Sequence, residues 1–222
     1  MSRTVADKGY KGLGMEGGIA KWYARNTAKS MPDFAADARR VAELLPAGAS
    51  VLEVAPGPGY FAIELSKLGP YRITGLDISR SFVEMARKNA AQARASIDFE
   101  LGSASAMPLP SDQYDFVFCR AAFKNFSEPV RALQEMHRAL KPGGRGLIND
   151  LRGDAPLAAI NEAVDRMGMG FFSRWFTRMA FRFMLIRRAY TKSQFEGFLR
   201  ETQFRSVRID EKPLGMDIWM EK

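Results

Sequence analysis

Two carboxylates and a glycine-rich turn are the residues of this chain best suited to holding a polar ligand. Glu53 lies inside an apolar run at residues 51–54, the turn Ala55-Pro56-Gly57-Pro58-Gly59 follows, and Asp77 closes a second apolar run. Glycine lets the backbone approach a ligand closely, and a carboxylate at a strand end can accept hydrogen bonds from a ribose diol. This arrangement predicts a βαβ unit that binds an adenosine-bearing cofactor.

The turn alone leaves two classes of cofactor open, because Gly57-x-Gly59-x-x-Ala62 also fits the nicotinamide dinucleotide fingerprint. Two later segments help to decide between these two classes of cofactor. Residues 102–110 lead through a short polar stretch into the strand-like residues 114–118, and residues 139–145 lead into residues 146–150. Together with Glu53 and Asp77, these motifs resemble the class I S-adenosylmethionine-dependent methyltransferases. The similarity is greatest to the small-molecule group that includes the ubiquinone and menaquinone biosynthesis enzymes, and it covers about residues 40–150.

The resemblance implies which residues hold the cofactor, S-adenosyl-L-methionine, and its product, S-adenosyl-L-homocysteine. Asp77 would bind the ribose, Ile78 would lie along the adenine, and the residues around Glu53 would surround the methionine part. The full set of cofactor residues implied is Glu53, Ala55, Pro56, Gly57, Gly59, Tyr60, Asp77, Ile78, Ser103, Ala104 and Arg120.

Two of these residues depart from the family pattern. Ala55 stands where the family usually has the first glycine of the turn, and an added methyl group should still permit binding. Ser103 stands where the family usually has aspartate. Its hydroxyl can accept a hydrogen bond from the adenine amine, but only as a neutral group.

Methyl transfer from a sulfonium asks mainly for positioning and for exclusion of water. The catalytic candidates are Arg120, which begins the loop after the fourth strand, Lys124 in that loop, and Tyr23, with Tyr10 as a second hydroxyl near the transferred methyl group. Many small-molecule members carry a histidine pair in this loop, and this chain does not. Lys124 could orient an anionic acceptor, or act as a base if burial lowered its pKa; the other interpretation is a solvated lysine.

These residues require an alternation of strands and helices, which predicts an α/β fold with a parallel sheet covered on both faces. The resemblance implies a doubly wound, Rossmann-like sheet of seven mostly parallel strands whose last strand is antiparallel, with N-terminal helices and a helical lid insertion. Helices are predicted near residues 19–28, 33–45, 60–68, 80–93 and 127–140. Strands are predicted near residues 50–54, 72–76, 96–100, 114–118, 145–150, 204–209 and 214–220.

We expect one methyltransferase domain over residues 1–222. Its predicted parts are an N-terminal helical flap (1–46), a cofactor-binding core (47–152), a helical lid (153–190) and a C-terminal helix with a hairpin (191–222). In the lid, Arg174, Arg178 and Arg182 recur every four residues beside an apolar surface. This segment favours a cap over a hydrophobic, aromatic or anionic acceptor. A homodimer interface, a core helix and a peripheral contact with an anionic membrane are the alternatives.

The composition bears on whether the chain holds a metal, is secreted or spans a membrane. The chain has 222 residues, a net charge of +8, one cysteine (Cys119) and one histidine (His137). Cys119 is expected to be a buried strand-end residue and His137 a structural or solvated one, so no metal site is expected. No secretory signal or membrane span is predicted, and a reducing cytoplasm suits the single cysteine.

The expected partner is a small-molecule acceptor rather than nucleic acid. A nucleic-acid methyltransferase would suit the positive charge, but the chain shows no nucleobase motif. A noncatalytic cofactor-binding protein also remains an alternative, because Ser103 and the missing histidine pair depart from the family pattern.

Overall fold

The computed structural model of the chain describes residues 9–11, 14–166, 179 and 186–222. Within these residues, seven strands form one sheet. The strands are β1 (Ser50–Val54), β2 (Arg72–Asp77), β3 (Ile97–Leu101), β4 (Tyr114–Arg120), β5 (Leu140–Leu151), β6 (Ser206–Glu211) and β7 (Gly215–Glu221).

The strand order is β3-β2-β1-β4-β5-β7-β6. Strands β1 to β5 pair in parallel, whereas β7 pairs antiparallel with both β5 and β6. This confirms the predicted seven-stranded sheet with an antiparallel last strand. The chain order reverses at β1, which lies between β2 and β4, and ligands of open α/β sheets bind beyond the carboxyl ends of strands at such a point.

The helices alternate with the strands much as the sequence predicts. They are α1 (Gly17–Thr27), α2 (Met31–Ala42), α3 (Tyr60–Ser66), α4 (Arg80–Gln92), α5 (Pro129–Ala139), α6 (Leu157–Arg166) and α7 (Lys192–Arg200). Local chemistry fixes several helix starts. Pro32 lies in the first turn of α2, the Ser79 hydroxyl accepts a hydrogen bond from the Phe82 N–H at the start of α4, and Thr191 forms a capping box with Gln194 before α7.

Alternating side chains of the central strands fill a separate apolar cluster on each face of the sheet. Phe116 and Phe118 of β4 pack with residues of α2, α3 and α4. Val117 and Cys119 face the other way and pack with residues of α5 and α7. Both faces are therefore covered by helices, as predicted for a doubly wound fold.

One strand boundary differs clearly from the prediction. The sequence places the fifth strand at residues 145–150, but β5 already begins at Leu140, which pairs with Tyr114. The next matched pair is Phe116 with Arg145, so residues 141–144 bulge out of the ladder. Gly143, at a φ of 76°, supplies the left-handed backbone that this bulge needs.

The predicted lid is described only in part. Residues 157–166 form α6, and residues 186–188 form a short 3₁₀ turn. Arg174, Arg178 and Arg182 lie outside the described residues, so the predicted cationic stripe stays a prediction, as does the division of the chain into flap, core, lid and tail. Among the described residues, no helix has the length and apolar character needed to cross a membrane.

Candidate active site

Glu53 is the most deeply placed carboxyl group at the candidate site. Its side chain, 3% exposed, lies next to the carboxyl end of β1, and its Oε2 accepts a hydrogen bond from the Ala62 N–H, in the first turn of α3, at 3.2 Å. Burial raises the pKa of Glu53 to about 8, against a lowering effect of the Ala62 N–H. Glu53 is therefore largely a neutral acid at pH 7, and a nearby cation would favour its ionised form.

The turn between β1 and α3 adopts left-handed backbone conformations at three positions. Ala55, Gly57 and Gly59 have φ values of 58°, 55° and 79°. Gly59 is also tightly packed, because an added Cβ would lie 2.9 Å from Cζ of Phe99. The sequence drew attention to the methyl group of Ala55 but not to its backbone, which is strained for a residue other than glycine.

Asp77 joins this turn to the end of β2. One of its carboxylate oxygens accepts a hydrogen bond from the Gly57 N–H at 2.9 Å, and the other accepts one from the Ser79 N–H at 2.9 Å. Burial raises the pKa of Asp77 to about 6, while these two N–H groups act in the opposite direction. Each carboxylate oxygen has a second lone pair, so Asp77 can also accept hydrogen bonds from a ligand diol.

The positions that the resemblance assigns to adenine lie beside Asp77. The Gly102 N–H donates to the Asp77 backbone carbonyl at 2.9 Å, which holds residues 103–104 next to the end of β2. The Ser103 hydroxyl accepts a hydrogen bond from the Ser105 N–H at 3.2 Å. The Ile78 side chain is 40% exposed, which is high for a large apolar residue and leaves a surface against which a ring can stack.

Arg120 ends β4 and is held by α2. Its Nε lies 2.7 Å from Asp37 Oδ2, and its guanidinium carbon lies 4.3 Å from the centre of the Phe34 ring. Its charge also lowers the pKa of Glu53. Neither contact with α2 was predicted, although a spacing of three residues places Phe34 and Asp37 on one face of that helix.

Lys124 corrects one interpretation from the sequence. The solvated lysine is wrong, because the residue is 4% exposed and its Nζ lies 2.9 Å from Asp150 Oδ1. The same ammonium donates to the Ala121 carbonyl, and the Lys124 N–H donates to Asp150 Oδ2 at 2.9 Å. Desolvation is tolerated because the charge is paired and hydrogen-bonded. Lys124 as an acceptor-facing group stays a prediction, and the observed geometry directs its ammonium to Asp150.

Of the two tyrosines considered for catalysis, Tyr23 lies in α1 and Tyr10 lies in the segment 9–11 that precedes it. Tyr23 packs edge-on against Phe82 with ring centres 5.7 Å apart. Burial raises the pKa of Tyr10, and the nearby charge of Arg188 acts in the opposite direction. Both tyrosines stay predictions as acceptor-facing groups.

The structure thus brings together Glu53, the turn, Asp77, the 103–104 segment and Arg120 at the carboxyl edge of the sheet. Away from this edge, Cys119 is fully buried, as expected. His137 packs edge-on against Phe204 at 5.1 Å, which agrees with a structural histidine.

Comparisons with known proteins agree with this geometry. A family model described as a methyltransferase domain matches residues 52–148. A demethylmenaquinone methyltransferase of Deinococcus radiodurans is 39% identical over 118 residues, which are 53% of this chain and 48% of that protein. The ubiquinone/menaquinone biosynthesis C-methyltransferase UbiE of Geobacter sulfurreducens is 35% identical over 105 residues, 46% of this chain and 41% of that protein. The chain therefore spans about half the length of the curated relatives that it matches.

Solved structures show the same fold. A putative S-adenosylmethionine-dependent methyltransferase of Methanococcus maripaludis matches with a TM-score of 0.71 at 21% identity, over 95% of this chain and 97% of that one. A SAM-dependent methyltransferase of Aquifex aeolicus matches with a TM-score of 0.65 at 20% identity, over 83% of this chain and 89% of that one. Similarity at this level of identity concerns the fold.

Proposed function

We propose that the chain, whose residues 52–148 match a methyltransferase domain, is a class I S-adenosylmethionine-dependent methyltransferase that methylates a small, hydrophobic or aromatic acceptor. Its cofactor is S-adenosyl-L-methionine, and the product is S-adenosyl-L-homocysteine. The acceptor class follows two relatives that are named for demethylmenaquinone and for ubiquinone and menaquinone biosynthesis.

The observation that carries the proposal is the junction of Asp77 with the left-handed turn. Asp77 Oδ2 accepts the Gly57 N–H at 2.9 Å, so the carboxylate of β2 and the turn after β1 form one surface. Glu53, in the strand that precedes that turn, is a buried acid. This donor and acceptor set fits the cofactor, because Asp77 can receive a ribose diol and Glu53 can face a cationic amino group.

When bound, S-adenosylmethionine supplies an activated methyl group that an in-line displacement moves to the acceptor. The protein's own part is positional. Asp77 and the turn would hold the nucleoside, and Arg120, which ends β4 and pairs with Asp37, is the proposed residue beside the reacting groups. Tyr23 presents a hydroxyl that can orient a polar group of the acceptor. Lys124 contributes by fixing the loop after β4 through Asp150.

The remaining features of the proposal concern partners. Four further points stay predictions. They are a hydrophobic cap from residues 153–190, a homodimer or a peripheral membrane contact through that segment, and a cytoplasmic location. None of them changes the test of the cofactor or of the acceptor class.

Calorimetric titration with S-adenosylmethionine, S-adenosylhomocysteine and NAD tests the cofactor. We expect binding of the two adenosyl amino acids and none of NAD. Asp77→Asn should weaken binding of S-adenosylhomocysteine roughly tenfold to a hundredfold, because a hydrogen bond to a charged acceptor is replaced by one to a neutral amide. The matched control is Asp98→Asn, the same change at an exposed position of the neighbouring strand β3. Binding of NAD alone would contradict the proposal.

Release of S-adenosylhomocysteine in the presence of candidate acceptors tests the reaction. Reduced naphthoquinones and benzoquinones should be methylated, and a transfer RNA mixture should not. Turnover on RNA alone would favour a nucleic-acid methyltransferase, and cofactor binding without turnover on any acceptor would favour a noncatalytic binding protein.

A further inference from the structure

A short N-terminal segment, residues 9–11, which we call the strap, lies along the loop after β4. Tyr10 forms an antiparallel bridge with Phe126, and the Lys11 N–H donates to the Asn125 carbonyl at 2.6 Å. On the other side of the bridge, the Ser127 N–H donates to the Gly9 carbonyl at 3.4 Å. Backbone hydrogen bonds therefore fix the position of the strap.

The side chain of Lys11 adds a second anchor. Its ammonium donates to the Tyr190 hydroxyl and also lies 4.4 Å from the centre of the Tyr190 ring. Tyr190 is buried and follows the short turn at residues 186–188. The strap thus connects the loop after β4 with the segment that follows the predicted lid.

Gly9 places the strap against the two residues assigned to the adenine. A Cβ added to Gly9 would lie 2.6 Å from Ser103 Oγ and 2.9 Å from Ile78 Cδ1. Non-bonded carbon atoms need about 3.5–4.0 Å of separation. A purine ring that packed between Ile78 and Ser103 would occupy the volume that Gly9 fills.

We propose that the strap blocks the adenine end of the cofactor site and must leave it before the cofactor binds. This inference rests on the proposed function, and it concerns how that same site is regulated. The apparent affinity for the cofactor is then lowered by the fraction of molecules in which the strap is in place. Departure of the strap also breaks the Lys11–Tyr190 contact, so cofactor binding changes the contacts of the segment that follows the predicted lid.

Variants that loosen the strap test this inference in the full chain. Lys11→Ala removes the anchor to Tyr190, and Gly9→Val introduces a side chain that cannot fit against Ser103 and Ile78. Calorimetric titration with S-adenosylhomocysteine should show binding about fivefold tighter or more for each variant. The controls are Lys21→Ala, an exposed position of α1, and Gly14→Val, where an added Cβ meets nothing within 4 Å.

Hydrogen exchange of the Lys11 amide gives an independent readout. Its hydrogen bond to Asn125 should be lost when S-adenosylhomocysteine binds, so its exchange should become faster while that of the Gly57 amide does not. Weaker binding by the strap variants, or slower exchange at Lys11, would show that the strap is a wall of the site and overturn the inference. Equal binding by all variants would overturn it too, with the proposed cofactor intact. If neither the wild type nor Lys11→Ala binds S-adenosylhomocysteine, the proposed function itself fails.

Discussion

Glu53 combines a buried position with the proposed contact to the cofactor's amino group, and its protonation should therefore change on binding. Burial raises its pKa to about 8 in the free protein. The amino group of S-adenosylhomocysteine is cationic and would favour the carboxylate, so its binding should lower this pKa and release a proton at pH 7. Affinity should then rise between pH 6 and pH 8 and level off above pH 8.

Calorimetry in two buffers with different ionisation enthalpies measures the proton directly. The apparent binding enthalpy should differ between phosphate and Tris for the wild type, and the difference should disappear in Glu53→Gln. Glutamine is a suitable control because its amide oxygen can still accept the Ala62 N–H that Glu53 accepts. A buffer-independent enthalpy for the wild type would show that Glu53 does not change its protonation on binding.

Ala55 carries backbone strain that glycine would relieve. Its φ of 58° lies in the left-handed region, which costs an L-residue with a Cβ roughly 1–2 kcal/mol. Part of that gain is offset by the greater entropy of glycine in the unfolded chain. Ala55→Gly should therefore raise the free energy of unfolding by about 0.5–1 kcal/mol, as measured by urea denaturation.

The control for this change is Ala91→Gly, an exposed position in the last turn of α4. There the backbone is helical, so the same substitution should lower stability by up to about 1 kcal/mol. A loss of stability in both variants would mean that the turn tolerates alanine without strain.

The loop after β4 is an element whose position depends on a buried ion pair. Lys124 and Asp150 are both almost fully buried, and together they fix the 3₁₀ turn at residues 123–125 to the end of β5. Lys124→Met would leave a buried carboxylate without its cation, which typically costs about 3–5 kcal/mol of stability. Urea denaturation should show a loss in this range, and adding Asp150→Asn should recover part of it.

An ion pair on the surface serves as the control for the buried pair. Lys67 and Glu64 form an exposed ion pair in and just after α3, so Lys67→Met should cost less than about 1 kcal/mol. Equal effects of Lys67→Met and Lys124→Met would mean that the buried pair does not hold the loop in place.

At the same scale, the elements themselves could be predicted from the sequence. The apolar runs that contain Glu53 and end at Asp77 predict β1 and β2. The alternation of strands and helices predicts the parallel sheet. The bulge at residues 141–144 could not be predicted, because it depends on how Leu140 pairs with Tyr114 across the sheet.

The features of the site that could not be predicted also depend on contacts between distant parts of the chain. Lys124 meets a carboxylate 26 residues away, and Arg120 meets α2, which precedes the sheet in the chain. A sequence pattern shows local periodicity, whereas the burial of a charged group depends on a partner brought close by the fold. The left-handed conformation of Ala55 is a further case, since alanine does not favour it.

At the scale of the whole molecule, two buried acids, Glu53 and Asp77, lie at the carboxyl ends of adjacent strands. Their burial should make the free energy of unfolding depend on pH. The pKa of Glu53 rises from 4.5 to about 8, and that of Asp77 rises from 3.8 to about 6. At a pH between the unfolded and the folded pKa of an acid, the folded state keeps a proton that the unfolded state has released. The stability contributed by each acid is therefore complete below its unfolded pKa and is lost as pH rises through the folded pKa.

Urea denaturation of the wild type and of Glu53→Gln between pH 5 and pH 8 isolates the larger contribution. The free energy of unfolding of the wild type should fall relative to the variant, with a limiting slope of about 1.4 kcal/mol per pH unit for one proton. Groups common to both proteins that do not interact with Glu53, such as His137, cancel in the difference. Because Glu53 lies in the central strand β1, its ionisation should destabilise the whole sheet, and the two curves should diverge without loss of a single cooperative transition. Parallel curves would show that Glu53 is already ionised in the folded protein.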